Sequence, residues 1–188
     1  MGRVSQAQAE ENRRRVVDTA SRLFREHGTQ VSVADLMKAA GLTHGAFYKQ
    51  FASKEALVDE ATAHAFAELA QRYSTGLERH DGQRVAAQRA LIDAYLSVEH
   101  RDAPADGCPV AALATDIARE GGGEGRDARR VYAEGVADFA AFLAREDQDG
   151  LVRLSTLFGA LVLSRATKGL PISGEILAAA HTALTEEG

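Results

Sequence analysis

One cysteine, Cys108, is all the thiol chemistry in this chain of 188 residues. It cannot close an internal disulfide, so the protein must be held by packing and suits a reducing, cytoplasmic compartment. No stretch approaches the ~18 consecutive apolar residues of a membrane span. The most apolar run, Leu151 to Leu163, is interrupted by Arg153, Ser155 and Thr156. The first fifteen residues, MGRVSQAQAEENRRR, have no apolar centre, which argues against a secretory signal. No segment alternates polar and apolar residues between turn signals and no stretch repeats, which leaves an all-α chain as the expectation.

The constellations of catalysis are missing too. There is no nucleophile elbow, no HExxH and no dinucleotide fingerprint. The run Glu120 to Gly125, EGGGEG, reads as a flexible connector: it follows a helix and lacks the Lys-Ser/Thr of a phosphate loop. Six histidines include no pair four apart, and His100 with Cys108 supplies only two ligands around one loop. The expectation is a protein that is not an enzyme and carries neither metal nor cofactor.

What is present is an uneven charge. The whole chain carries −5. Residues 1–54 hold nine Lys and Arg against five Asp and Glu, a local +4, which leaves −9 on the remainder. A basic head on an acidic body suits a soluble DNA binder, because phosphate attraction acts locally.

That head contains the most informative stretch, Ser32 to Lys54. Ser32 caps a short helix with Asp35 three residues on, and Val33, Leu36, Met37 and Ala40 form its buried stripe. Gly41 makes the turn, Leu42 anchors it, and Thr43 is placed to cap a second helix reaching about Phe51. Phe47 and Phe51 point inward. The opposite face offers Thr43, His44, Gly45, Ala46, Tyr48, Lys49 and Gln50, small or hydrogen-bonding groups of the kind a helix needs in a DNA major groove. Gly45 inside a helix costs roughly 1 kcal/mol relative to Ala, a broken local rule that points to close approach by a ligand. Before this stretch, a helix from about Gln6 to His27, with Ser5 and Gln8 as a capping pair, buries Val16, Ala20, Leu23 and Phe24 and carries Arg13, Arg14 and Arg15. Ser53 caps the next helix, whose N-terminus could grip a phosphate together with Lys54.

These residues resemble the DNA-binding signature of the tetracycline-repressor (TetR) family of bacterial regulators. The matching positions are Val33-Ala34-Asp35-Leu36, Ala39 to Thr43, Gly45 to Tyr48, Phe51 and Ser53 to Leu57, with Ala20, Leu23, Phe24 and Gly28 before them. The resemblance covers about the first third of the chain. It implies residues 1–54 as a helix–turn–helix domain and 55–188 as a helical ligand-binding and dimerisation domain. The implied function is a homodimeric repressor released from operator DNA by a small molecule. The expected DNA contacts are Arg14, Ser32, Thr43, His44, Gly45, Ala46, Tyr48, Lys49 and Lys54.

Beyond Lys54 the pattern predicts helices to about Arg79, from Asp81-Gly82 to about His100, through Leu113 and Ile117, from about Asp127 to Arg145, from Leu151 to Lys168, and from a Ser173 cap to about Glu187. The Leu151–Lys168 helix is apolar around most of its circumference, so it is buried on more than one side. Its second cover is either a protomer core or a second copy. The resemblance favours the second, with Leu154, Leu157, Phe158 and Leu161 at the interface. Inward aromatics Phe66, Tyr73, Tyr95, Tyr132 and Phe139 are pocket walls or ordinary core. Cys108, between Gly107 and Pro109 at a helix entrance, is either a buried small hydrophobe or a reactive thiol. First-turn N–H groups would lower its pKa, Asp106 would oppose that and Arg101 could assist. The resemblance adds that some relatives place a reactive cysteine at a similar position, so an electrophile-sensing repressor is one alternative. A ligand-free DNA-binding protein is another.

Overall fold

A computed structural model describes residues 6–119, 127–145 and 149–186. The Ser5 cap, the glycine-rich connector at 120–125 and the helix end at Glu187 lie outside the described residues. Among those described, every regular element is helical.

Helix α1 (Gln6–His27) buries Val16, Ala20 and Phe24 along one stripe and stops at Gly28, whose φ is +80°. A side chain at Gly28 would be strained by that φ, and its Cβ would meet Asp116 Oδ2 at 2.9 Å. Thr29 N–H donates to the same Asp116 oxygen at 2.6 Å. Helix α2 (Val33–Ala39) is capped by Ser32, whose Oγ accepts from Asp35 N–H at 3.1 Å and donates to Asp35 Oδ2 at 2.6 Å. Gly41 turns the chain, and Leu42 N–H closes onto Met37 O at 2.8 Å.

His44–Lys49 is a 3-10 helix, not an α-helix reaching Phe51, and the Thr43 side chain makes no capping bond. The segment is only six residues long, and Ser53 restarts the chain almost at once, which leaves no room for a second α-turn.

Helix α3 (Lys54–Arg79) is capped by Ser53 Oγ, which accepts from Ala56 N–H at 3.2 Å. Its 26 residues reach roughly 39 Å. The predicted single helix to His100 is two, α4 (Arg84–Tyr95) and α5 (Val98–Asp102), because Ser97 caps a new start by accepting from His100 N–H. A 3-10 turn (Pro104–Asp106) leads into α6 (Pro109–Arg119), followed by α7 (Ala128–Leu143), α8 (Gly150–Ala166) and α9 (Pro171–Thr185). Ser173 does not cap α9, which starts at Pro171. Ser173 is buried instead, donating to Ser164 O at 2.7 Å and accepting from Arg101 Nη1 at 2.9 Å.

Two hydrophobic clusters hold the chain together. The first joins α1, α2, Phe47, Phe51 and the start of α3 to Leu113 and Ile117 of α6. The second joins the rest of α3 to α4, α7, α8 and α9. Helices α3 and α6 contribute to both, so the two clusters are mechanically connected.

Helix α8 corrects an expectation. Leu154, Leu157 and Leu161 are fully buried inside the protomer, and Phe158 is partly buried against the same core. Leu154, Leu157 and Leu161, enclosed by their own protomer, cannot face a partner, whereas Phe158 keeps part of its ring exposed. The exposed apolar positions on α8 are Leu151, Val152, Val162 and Leu163.

Candidate nucleic-acid interface

The helix–turn–helix surface is built on Phe47, whose ring has no exposure and stacks on Phe51 at 5.4 Å. Truncating such a ring to Ala costs about 3–5 kcal/mol. Outside it, Thr43, His44, Gly45, Tyr48 and Lys49 are exposed, with Ala46 and Gln50 at the edge. Tyr48 is 66% exposed, yet its ring is held edge-on to Phe47 at 5.1 Å and to His44 at 5.9 Å. An exposed aromatic that is already fixed loses little freedom on binding. A Cβ at Gly45 would meet nothing within 4 Å, so the protein itself gives no packing reason for glycine there.

Of the arginine run, Arg13 braces the 3-10 turn from behind. It donates to Gln50 O, pairs with Glu60 of α3, and lies over the Phe51 ring at 4.3 Å. Arg14 is exposed and loosely paired with Glu11 at 2.9 Å. Ser32 sits exposed at the start of α2, and Lys54 is half-buried at the start of α3.

A cavity of about 520 Å³ lies in the second cluster, among α3, α4, α7 and the α5–α6 connection. Tyr73, Tyr95, Phe139 and Cys108 line it, whereas Phe66 and Tyr132 do not. Those two rings pack edge-on at 5.6 Å, and the Tyr132 hydroxyl donates to Val110 O at 2.7 Å. Burial pushes Tyr132 up to about 12. Leu91, Phe142, Arg72 and His100 also line the cavity, and none of them is marked by the sequence as a pocket wall. Phe142 and Leu91 were within reach, lying three residues after Phe139 and four before Tyr95 on the same helix faces. Tyr73 stacks on Phe142 at 4.8 Å and on Phe139 at 6.4 Å, making one wall aromatic.

The polar side of the cavity is ordered around His100. Its Nδ1 lies 2.7 Å from Tyr95 O and its Nε2 accepts from Cys108 N–H at 3.2 Å, so Nδ1 carries the proton of a neutral ring. Burial holds the His100 pKa below its ordinary value, and Arg165 and Arg72 add to that. The Tyr95 hydroxyl is buried without a hydrogen-bond partner of ordinary geometry; its neighbour is the Cys108 thiol. Burial raises the Cys108 pKa. The Tyr95 hydroxyl, the first-turn amides of Ala111 and Val110, and Arg165 pull it down but do not prevail. The nearby cation is thus Arg165, not Arg101, whose guanidinium is taken by Asp102 and Ser173. The Asp106 carboxylate is occupied by Arg22 of α1.

Residues 16–61 match the family model described as bacterial regulatory proteins, tetR family. The HTH-type transcriptional regulator AcrR of Shigella flexneri is 39% identical over 61 residues, 32% of this chain but only 28% of that protein. The reduced form of E. coli NemR has a similar fold, with a TM-score of 0.76 at 20% identity, covering 94% of this chain and 96% of that one. A TetR transcriptional regulator from Chloroflexus aurantiacus gives 0.72 at 22% identity, over 95% and 94% of the two chains. Residues 16–61 are thus similar to the helix–turn–helix region of the tetR family of bacterial regulatory proteins, carried on an all-α frame that shares the fold of these solved regulators.

Proposed function

We propose that this chain is a DNA-binding transcriptional regulator, a homodimeric repressor in the cytoplasm that leaves its operator when a small aromatic molecule fills the 520 Å³ cavity. Residues 1–54 would hold the DNA, and 55–188 would bind the effector and the second copy. The recognition surface is Thr43, His44, Gly45, Ala46, Tyr48 and Lys49, with Arg14, Ser32 and Lys54 on flanking phosphates. Two copies present two such surfaces to half-sites about one helical turn apart.

One observation carries the effector reading. The α5–α6 connection that forms the cavity's polar side is bonded directly to α1. Arg22 pairs with the Asp106 carboxylate, and Arg25 Nη1 donates to Gly107 O at 3.4 Å. Arg72 of α3 donates to Asp106 O at 2.7 Å from the cavity side. A ligand that displaces this connection moves the helix on which the DNA-binding core is built, so its differential affinity for the two geometries becomes release. Stacked rings favour a flat apolar ligand, and the unpartnered Tyr95 hydroxyl favours one with a hydrogen-bond acceptor.

The test is a screen of aromatic compounds for release of a bound operator duplex, repeated on Gly76→Phe. Gly76 lines the cavity and a Cβ there meets nothing within 4 Å, so the added ring occupies ligand space without disturbing the backbone. Active compounds should release the wild type and fail on the variant. Equal release of both places the effector elsewhere.

A second reading makes Cys108 the reacting group. It is favoured by the thiol's place in the cavity wall beside Tyr95 and the first-turn amides of α6. Under it, a thiol-reactive aldehyde or quinone releases wild type but not Cys108→Ser. If the Ser variant responds as the wild type does, Cys108 is packing.

A further inference from the structure

Asp18 of α1 stands against His64 and Glu68 of α3, and one donor atom from each lies within 4.8 Å of the other two. His64 Nε2 is 3.6 Å from Asp18 Oδ1 and 3.7 Å from Glu68 Oε1. Both distances exceed a hydrogen bond, and that nitrogen is shielded from solvent with no partner. A shielded ring nitrogen facing two carboxylates, bonded to neither, is poorly satisfied by protein atoms alone. The spacing is instead close to that of ligands around one small cation, where donors about 2.1 Å from the metal sit roughly 3.4 Å apart in a tetrahedron.

The three side chains come from two helices in a suitable way. His64 and Glu68 are one turn apart and share a face of α3. Glu68 is already oriented: its Oε2 accepts from the buried Arg25 at 2.8 Å, which leaves Oε1 toward His64. An outer hydrogen bond that fixes a ligating carboxylate is a usual feature of metal centres. Neither the recognition surface nor the cavity uses any of the three.

We propose that Asp18, His64 and Glu68 bind one divalent transition-metal cation, with water completing its coordination. One imidazole with two carboxylates suits zinc, cobalt or nickel better than magnesium or calcium, which prefer all-oxygen shells. The ion ties α1, which carries the helix–turn–helix core, to α3, which runs on to the cavity. It therefore stiffens the seat of the DNA-binding helices, whether or not a small molecule acts at the cavity.

Calorimetric titration of the full chain with zinc chloride tests this. Wild type should take one ion per chain. Asp18→Asn and His64→Ala should each weaken binding by at least about tenfold, while His80→Ala, outside the cluster, should not. At equal zinc, the melting temperature of wild type should rise more than that of either variant. Asp18 is exposed on α1, so Asp18→Asn decides the matter if His64→Ala folds poorly. No binding by wild type at about millimolar zinc, or wild-type isotherms from Asp18→Asn, overturns the proposal.

Discussion

Arg25 of α1 is buried with its guanidinium 2.8 Å from the Glu68 carboxylate of α3, so a charge pair couples the helix–turn–helix core to the long helix. Losing one partner of a fully buried pair costs 3–5 kcal/mol, whereas exposed pairs are worth under about 1. Glu68 is about one-third exposed, so Glu68→Ala is expected to cost about 2–3 kcal/mol. Urea unfolding measures it. A midpoint unchanged from wild type would mean that Arg25 is satisfied by Ser21 O and Gly107 O alone.

On the outer surface, the phosphate and base contacts should separate. Lys54→Ala is expected to weaken binding to all duplexes alike and to make log K against log salt shallower by about 0.9. Anisotropy titrations at several salt concentrations read it. An unchanged slope would remove Lys54 from the phosphate contacts.

The helix–turn–helix was legible because its signals are local. Ser32 with Asp35, Gly41 at φ +70° and the Phe47–Phe51 stripe each announce themselves within a few residues. The 3-10 form of His44–Lys49 was not legible, since six residues cannot separate a period of 3.0 from 3.6. For α8 the reading failed through lack of phase. A helix apolar all round does not reveal which side is inward, and here Arg153 and Ser164 are buried while Val152 and Leu163 are exposed. Asp18 could not be joined to His64 from sequence, because only the α1–α3 packing brings them together.

That phase, now known, redirects the test of dimerisation. Val152→Glu with Leu163→Glu puts charge on exposed apolar positions of α8 and should give a folded monomer by sedimentation. Leu157→Glu should unfold the chain, since it buries a carboxylate at a cost of several kcal/mol. A folded dimer from the Val152, Leu163 double variant would move the interface off this face.

Stability should also fall on mild acidification through His100. Burial holds its folded pKa below the ordinary 6.5, so the unfolded chain takes up the proton first. The contribution is whole above 6.5 and is lost as pH falls from there through the lower folded value. Protonation of Nε2 would also break the bond from Cys108 N–H. Melting curves between about pH 7.5 and 5.5 should show a steeper loss for wild type than for His100→Gln. Parallel slopes would contradict this assignment.

If the exposed face of the His44–Lys49 turn reads DNA, changing its side chains should abolish sequence selection. Selection of bound fragments from the source genome, with wild type and with the Tyr48→Ala, Lys49→Ala double variant, tests it most directly. Wild type should recover fragments sharing one palindromic sequence, and the double variant, still folded because Phe47 is intact, should recover none. A wild type that enriches no shared sequence, or a double variant that enriches the same palindrome equally well, would contradict the account.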